Sequence, residues 1–491
     1  MQIEAMLGST PRQFPGRIAL DDGVRVITYA RLSEMVLTEA QFLLACGGLR
    51  FGLLADNGCG WVIADLALHH LNRLNVPLPA YFTAAQQWHA IEDASLDTLV
   101  TDRPDEVMAQ WQGFRRVGFS PASGLAVLHR TVATDSRKRV PPGITKITYT
   151  SGSTAEPKGV CLSSGTLDCV SRSLMSATAT LPIQRHLCLM PLATLLENLA
   201  GVHAPLRAGA SCIVPRSSES GMSYGALDPQ RILRTLNQVQ PESVVLVPEL
   251  LKLLARASQA GHVTTKSLKF VAVGGAVVSR SLLDECAGLG LPVFEGYGLS
   301  ECASVVCLNT PDASRIGSVG RPLPHVRVRL DGDGQIIVSG AVMSGYLGGA
   351  PLSWPPEVAT GDLGEIDADG FVFVRGRLKN IFITSLGRNV SPEWVERELA
   401  HEPAIRHAFA FGEAQPVVSA LLTPAQQGLD AAVIENAVNR ANARLPDYAQ
   451  VRRWACMPEM PSLSNGLLTA NGRLRRERVL ERFGPLLQSG A

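Results

Sequence analysis

The chain has 491 residues, 46% of them hydrophobic and 18% charged, with 45 Gly and 31 Pro. That exceeds one ordinary domain of roughly 100 to 200 residues and excludes a disordered, collagenous or coiled-coil protein. The 45 basic and 44 acidic side chains leave a formal charge of +1, so no overall field favours nucleic acid or an anionic membrane. In chain order, amphipathic spacing predicts helices over 29–45, 60–71, 83–91, 230–238, 249–257 and 279–287. Short apolar runs predict strands at 52–55, 98–101, 146–149, 187–190, 243–247 and 270–273. Strand and helix alternating at this spacing give an α/β fold with largely parallel sheets covered by helices. After about Arg315 the pattern shifts to β-like pieces with Gly and Asp turns, VRVRLDGDGQIIVSG (326–340) and GEIDADGFVFVRGR (364–377), a β-rich region closing the large domain. The remainder mixes a strand near Phe382, a helix over 392–400, strands near Ala408 and Ser419, and a helix over 429–443. We therefore expect a large domain over 1–377 and a small α+β domain over 378–491.

The ten cysteines form no CxxC pair and have no metal-ligand spacing to a His, which predicts reduced, mostly buried thiols. The N-terminal residues lack an apolar run after a basic start, and no stretch reaches about 18 apolar residues. A cytoplasmic location without integral membrane association is the expectation, as is the absence of a nucleic-acid partner.

The most informative stretch is YTSGSTAEPKGV (149–160), which follows a strand-like run. Thr150, Ser151, Ser153 and Thr154 surround Gly152, and Lys158 follows. Such a loop can turn amides and hydroxyls toward phosphate oxygens while a Lys supplies a point charge. It is not a Walker A loop, because Lys158 precedes Gly159 and GxxxxGK[ST] is absent. The string resembles the phosphate-binding signature of the adenylate-forming superfamily of acyl-CoA synthetases, luciferases and nonribosomal adenylation domains. Further matches follow in the same order: FVAVGGA (270–276), EGYGLSE (295–301), GSVGRPLP (317–324), TGDLGEID (360–367), GRLKN (376–380) and SLGRNVSPEWVE (385–396). Within the superfamily, MPLATLLENLAG (190–201) is most similar to fatty acyl-CoA synthetases.

The resemblance implies a role for each matching residue. Gly275, Ala276 and Glu295 would border the nucleotide; Tyr297 would lie against adenine, with Gly296 and Gly298 admitting the backbone closely. Ser300 would contact the phosphates and Glu301 would sit by Mg²⁺, whose charge offsets that of the triphosphate. Asp362 would accept from the ribose hydroxyls and Arg377 would reach the ribose or phosphates. Lys379 would be the hinge of the small domain, and Gly387 would border the tunnel for a pantetheine thiol.

Two positions depart from the family pattern. Thr194 stands where relatives often carry an aromatic or His at the carboxylate end of the acid pocket. Arg473 stands where the family's C-terminal catalytic Lys is expected, and no Lys follows Lys379. Arg keeps the charge but is planar and fork-shaped. It would substitute for the Lys, slow adenylation while sparing thioester formation, or mark a degenerate nucleotide-binding protein. With 38 Arg to 7 Lys, general drift toward Arg is one explanation, although Lys survives at 158 and 379. The resemblance implies ATP-dependent activation of a carboxylic acid, with Mg²⁺, to an acyl-adenylate, followed by transfer to coenzyme A. Leu195, Leu196 and Val247 are candidate walls of a hydrophobic acid pocket. The alternative acceptor is the thiol of an acyl or peptidyl carrier protein, which Arg475, Arg476 and Arg478 would suit.

Overall fold

Helix Tyr29–Ala45 begins where Thr28, in extended backbone, accepts a hydrogen bond from the Arg31 amide, and it buries Leu32, Val36, Ala40 and Leu43 along one face. Its bounds match the expected helix, because an N-cap and a 3.6-residue apolar stripe are both local signals. The same holds for helix Arg280–Gly288, capped by Ser279, and for helix Ala84–Asp93, where Thr83 and Gln86 form a capping box. The computed structural model describes residues 6–487 apart from 9, 133–137, 151–156, 224–225, 277, 379, 381, 386–388, 414, 427, 463 and 469–474.

Among the described residues two large sheets dominate. The first has eight strands in the order Gly345–Tyr346, Lys158–Ser163, Ile144–Thr150, Leu74–Pro77, Arg50–Leu54, Thr98–Thr101, Ala126–His129, Arg115–Phe119. The second has nine, with Arg185–Leu187, Ser243–Leu246, Phe270–Val273 and Val293–Tyr297 side by side. Both sheets are parallel at their centres and antiparallel at their edges. Central strands are buried along their length, as in SVVL of Ser243–Leu246 and TLVT of Thr98–Thr101, because helices cover both faces. A four-stranded antiparallel sheet follows, Val326–Leu330, Gln335–Gly340, Glu357–Ile366 and Val372–Arg377. Beyond it, Phe382, Val395, Leu399, Ile434 and Val438 build a separate core against a three-stranded sheet.

Four features differ from the sequence expectation or were not anticipated by it. The predicted strand at 187–190 is Arg185–Leu187, and the chain leaves the sheet at Cys188, whose amide bonds Ile213 O, before turning at Pro191. The stretch 149–160, expected as loop, already contains strand Lys158–Ser163, paired with Ile144–Thr150 so that Thr150 faces Lys158. Strand Val451–Cys456 and helix Arg476–Phe483 complete the small domain. The fourth is a π-helix at Glu197–His203. Pro205 has no amide to give Gly201 O; that carbonyl accepts from Cys188 Sγ instead at 3.3 Å, while the Ala204 amide reaches back five residues to Leu199 O.

This π-helix lies at the junction of the two sheets. Lys146 Nζ, fully buried, donates to Asp65 Oδ1 at 2.8 Å and to Asn198 Oδ1 at 2.5 Å. His203 Nε2 and Asn198 Nδ2 meet Asp65 Oδ2 at 2.9 and 3.0 Å. Burial pushes the Asp65 carboxyl up, yet Lys146 and His203 outweigh it and hold the group well below the usual carboxylate range.

Candidate active site

Strand pairing assembles the site. The hairpin Ile144–Thr150 and Lys158–Ser163 brings Thr150 and Lys158 opposite each other at its open end. The edge strand Gly345–Tyr346 pairs with Lys158–Ser163 through Tyr346↔Val160. This puts the Lys158 ammonium 5.7 Å from the centre of the Tyr346 ring, within cation–π range. The Tyr346 hydroxyl donates to Glu301 Oε1 at 2.8 Å, so one aromatic side chain links the lysine to the carboxylate. Burial and the neighbouring Glu301 push the Tyr346 hydroxyl pKa up, keeping it a donor. Sequence reasoning missed Tyr346; its only local signal is an aromatic residue just after Gly345.

Glu301 sits in a one-turn 3₁₀ helix, Ser300–Cys302. The turn closes with Ala303 at φ +55° and Ser304 at φ +96°, two side-chain-bearing residues in left-handed backbone. Gly298 is required by this turn, because a Cβ there would lie 1.5 Å from Ser304 O. At Gly296 a Cβ would come within 3.0 Å of Leu308 Cδ1 and 3.2 Å of Cys307 O. Both glycines therefore answer to the protein's own backbone packing, a reason distinct from close approach to a nucleotide.

A second group lines the same cleft. Asp362 and Arg377 face each other in the antiparallel pair Glu357–Ile366 and Val372–Arg377. Arg377 Nε reaches Asp362 Oδ1 at 2.8 Å, and the Tyr297 hydroxyl donates to Asp362 Oδ2 at 2.5 Å. Burial, reinforced by Asp362, pushes the Tyr297 hydroxyl pKa upward. Gly275 takes φ +79° in the turn after strand Phe270–Val273, with Ala276 exposed beside it. Glu295 is buried, and burial pushes its carboxyl up to about 8, opposed by Arg397 from the small domain and the Val278 amide. Thr194 donates its hydroxyl to Pro191 O at 2.7 Å, so what it offers the cleft is an acceptor oxygen and a methyl group.

Thr150, Lys158, Thr194, Gly275, Ala276, Glu295, Gly296, Tyr297, Gly298, Ser300, Glu301, Asp362 and Arg377 all line one cleft of about 3210 Å³, together with Leu195, Leu196 and Val247. Arg397, Arg475, Arg476 and Arg478 line it from the small-domain side. Ser151, Gly152, Ser153, Thr154, Lys379, Gly387 and Arg473 lie outside the described residues. The cleft thus brings together a cation and a carboxylate, a Tyr–Asp–Arg group and apolar side chains. Such an arrangement can hold a polyanion with a hard metal ion and an apolar acid together.

The AMP-binding enzyme family model matches residues 8–347, and the AMP-binding enzyme C-terminal domain model matches residues 379–489. Among curated proteins the chain is similar to long-chain-fatty-acid–CoA ligase FadD15 of Mycobacterium bovis, at 25% identity over 98% of this chain and 95% of that protein. It is also similar to feruloyl-CoA synthase of an Amycolatopsis species, at 29% identity over 97% and 99%. Its fold matches O-succinylbenzoate coenzyme A synthetase (MenE) of Bacillus subtilis in complex with ATP and magnesium ion, with a TM-score of 0.76, 23% identity and coverage of 96% and 98%.

Proposed function

The chain belongs to the AMP-binding enzyme family, and from that premise we propose that it is an AMP-forming acid–thiol ligase. It activates a hydrophobic fatty or aryl carboxylic acid with ATP and transfers the acyl group to coenzyme A. The observation that carries this reading is the convergence of Lys158, Tyr346 and Glu301 with Tyr297, Asp362 and Arg377 on one cleft whose apolar lining includes Leu195, Leu196 and Val247. Relatives named as fatty-acid and feruloyl ligases support the substrate class.

A carboxylate oxygen attacks the α-phosphorus of ATP, forming the acyl-adenylate and expelling pyrophosphate; the thiol then attacks the acyl carbon and AMP leaves. In the first step Lys158 and the hydroxyl-rich segment Thr150, Ser151, Ser153 and Thr154 hold the phosphates. Asp362 takes the ribose hydroxyls, and Arg377, fixed by Asp362, reaches the ribose or phosphates. Tyr297 packs on adenine, with Gly275, Ala276 and Glu295 bordering it. Positioning and charge neutralisation supply most of the rate enhancement. Glu301, a hard carboxylate facing the cleft and oriented by Tyr346, fits Mg²⁺, which when bound neutralises triphosphate charge. Arg473 occupies the place of the usual C-terminal Lys, Lys379 is the hinge between domains 1–377 and 378–491, and Gly387 borders the thiol tunnel. A carrier-protein thiol is the second acceptor to consider, yet Arg476 is committed to Glu396 and to Ala410 O, which leaves Arg475 and Arg478 for an acidic partner.

Among the described residues no helix is long and apolar enough to cross a membrane. All ten cysteines are free, and thiols in that state suit a reducing compartment, so a cytoplasmic location belongs to the same proposal. Pyrophosphate exchange across a panel of fatty and aryl acids tests the reading. Robust exchange with at least one acid is expected. No exchange, together with no thioester from a synthetic acyl-adenylate, would discard it. Thioester formation without exchange would place the defect at Arg473, and Arg473→Lys would then restore exchange.

A further inference from the structure

At the root of the π-helix, three donor side chains of different chemistry point at one another. We propose that His186, Cys188 and Glu197 form a buried site for one zinc ion. His186 ends toward the site from strand Arg185–Leu187, Cys188 follows directly, and Glu197 opens the π-helix. Their donor atoms all lie within 4.8 Å of one another. A zinc ion holds N, O and S at about 2.0 to 2.3 Å, which in tetrahedral geometry separates ligand atoms by between about 3 and 4 Å. His186 Nε2 and Glu197 Oε1 stand 3.8 Å apart, too far for a hydrogen bond and close to that spacing.

Three further observations point to a ligand. Glu197 is 0% exposed, and among the described residues neither of its oxygens nor His186 Nε2 has a partner within hydrogen-bond distance, a costly state for buried polar atoms unless something else pairs with them. The other ring nitrogen, Nδ1, lies 2.8 Å from Ser243 Oγ, which fixes the ring with Nε2 aimed into the cluster, as an outer partner does for a metal-bound His. Gly201 keeps the adjoining space open: a Cβ there would lie 2.6 Å from Glu197 Oε1 and 3.1 Å from His186 Nε2.

The donor set selects the ion. Thiolate, imidazole and carboxylate together suit zinc, whereas Mg²⁺ prefers oxygen and water. On binding, Cys188 surrenders the S–H proton now directed at Gly201 O, and one thiolate, one carboxylate and one divalent cation leave no net buried charge. All three side chains are buried, while His186 also lines the cleft, the side from which a water would fill the fourth position of a tetrahedral ion. The ion would tie the start of the π-helix to the neighbouring strand and so stiffen the wall that carries Leu196 and Ala200 into the cleft.

The test uses the full chain, expressed with zinc or cobalt and then stripped of loose metal with EDTA. About one retained zinc per chain is expected by elemental analysis, and the cobalt form should show tetrahedral bands with a near-ultraviolet thiolate-to-cobalt transition. Cys188→Ser should abolish that transition and Glu197→Gln should cut retention by roughly tenfold or more, whereas Cys456→Ser, an exposed thiol remote from the cluster, should change neither. Retention of no zinc or cobalt by the wild-type chain overturns the proposal, as does a thiolate band that survives in Cys188→Ser. If the variants fail to fold, the wild-type metal content and spectrum decide alone. Metal content is read without turnover, so a negative result leaves the ligase reading standing.

Discussion

Asp362 is the residue that holds the Tyr–Asp–Arg group together, because its two oxygens separately engage Arg377 and the Tyr297 hydroxyl. Asp362→Asn removes the charge that fixes both partners; hydrogen bonds to charged groups are worth about 1.5 to 3 kcal/mol. Calorimetry should show the Kd for ATP rising by roughly one to two orders of magnitude. Tyr346→Phe keeps the ring beside Lys158 and deletes only the bond to Glu301. We expect a several-fold higher Mg²⁺ requirement in pyrophosphate exchange with little change in thermal midpoint; an unchanged requirement would detach Tyr346 from the metal end. Lys158, Glu301, Asp362 and Arg377 stand in the short strings that carry the family resemblance, so their meeting in one cleft could be expected from the sequence. Tyr346 was not, because its link to Glu301 crosses 45 residues and depends on strand pairing.

At the scale of elements, capped helices and fully apolar strands were legible wherever the determinants are local. The π-helix was not, since Pro205 only frees Gly201 O, and whether a helix widens there depends on Cys188 being at hand to use that carbonyl. The same segment delivers Asn198 and His203 to the buried pair between Lys146, on a strand of the eight-stranded sheet, and Asp65, on helix Cys59–His70. Lys146→Met strands the Asp65 carboxylate with its lysine gone. Urea unfolding should show a loss of about 3 to 5 kcal/mol, the usual cost of breaking one partner out of a buried ion pair. Gly298→Ala forces a methyl against Ser304 O and must shift the strained turn that carries Glu301.

At the scale of the whole molecule, polar interactions among the described residues link the small domain to the large one: Lys252 Nζ donates to Ala400 O at 2.7 Å, and the charge of Arg397 acts on the buried Glu295. Glu295 has a folded pKa of about 8 against an ordinary 4.5, so the folded state binds its proton more tightly than the unfolded state does. Its contribution to stability is complete below about 4.5 and is lost as pH rises through about 8. Glu295→Gln mimics the protonated form. The stability of wild type minus that of the variant should therefore fall across this window, by no more than about 1.4 kcal/mol per pH unit, in urea titrations at several pH values. A flat difference would mean that water or Arg397 keeps the carboxylate charged. The sequence by itself determined the α/β class, the order of the motifs that carry the family resemblance and a set of candidate residues that line one cleft, because periodicity, caps and short motifs are carried by neighbours along the chain. Only the tertiary structure decided that Tyr346 bridges Lys158 and Glu301, that the charge of Arg397 acts on Glu295, and that the donor atoms of His186, Cys188 and Glu197 come within 4.8 Å of one another. Those contacts arise from strand register and core packing between distant segments, which no local pattern encodes.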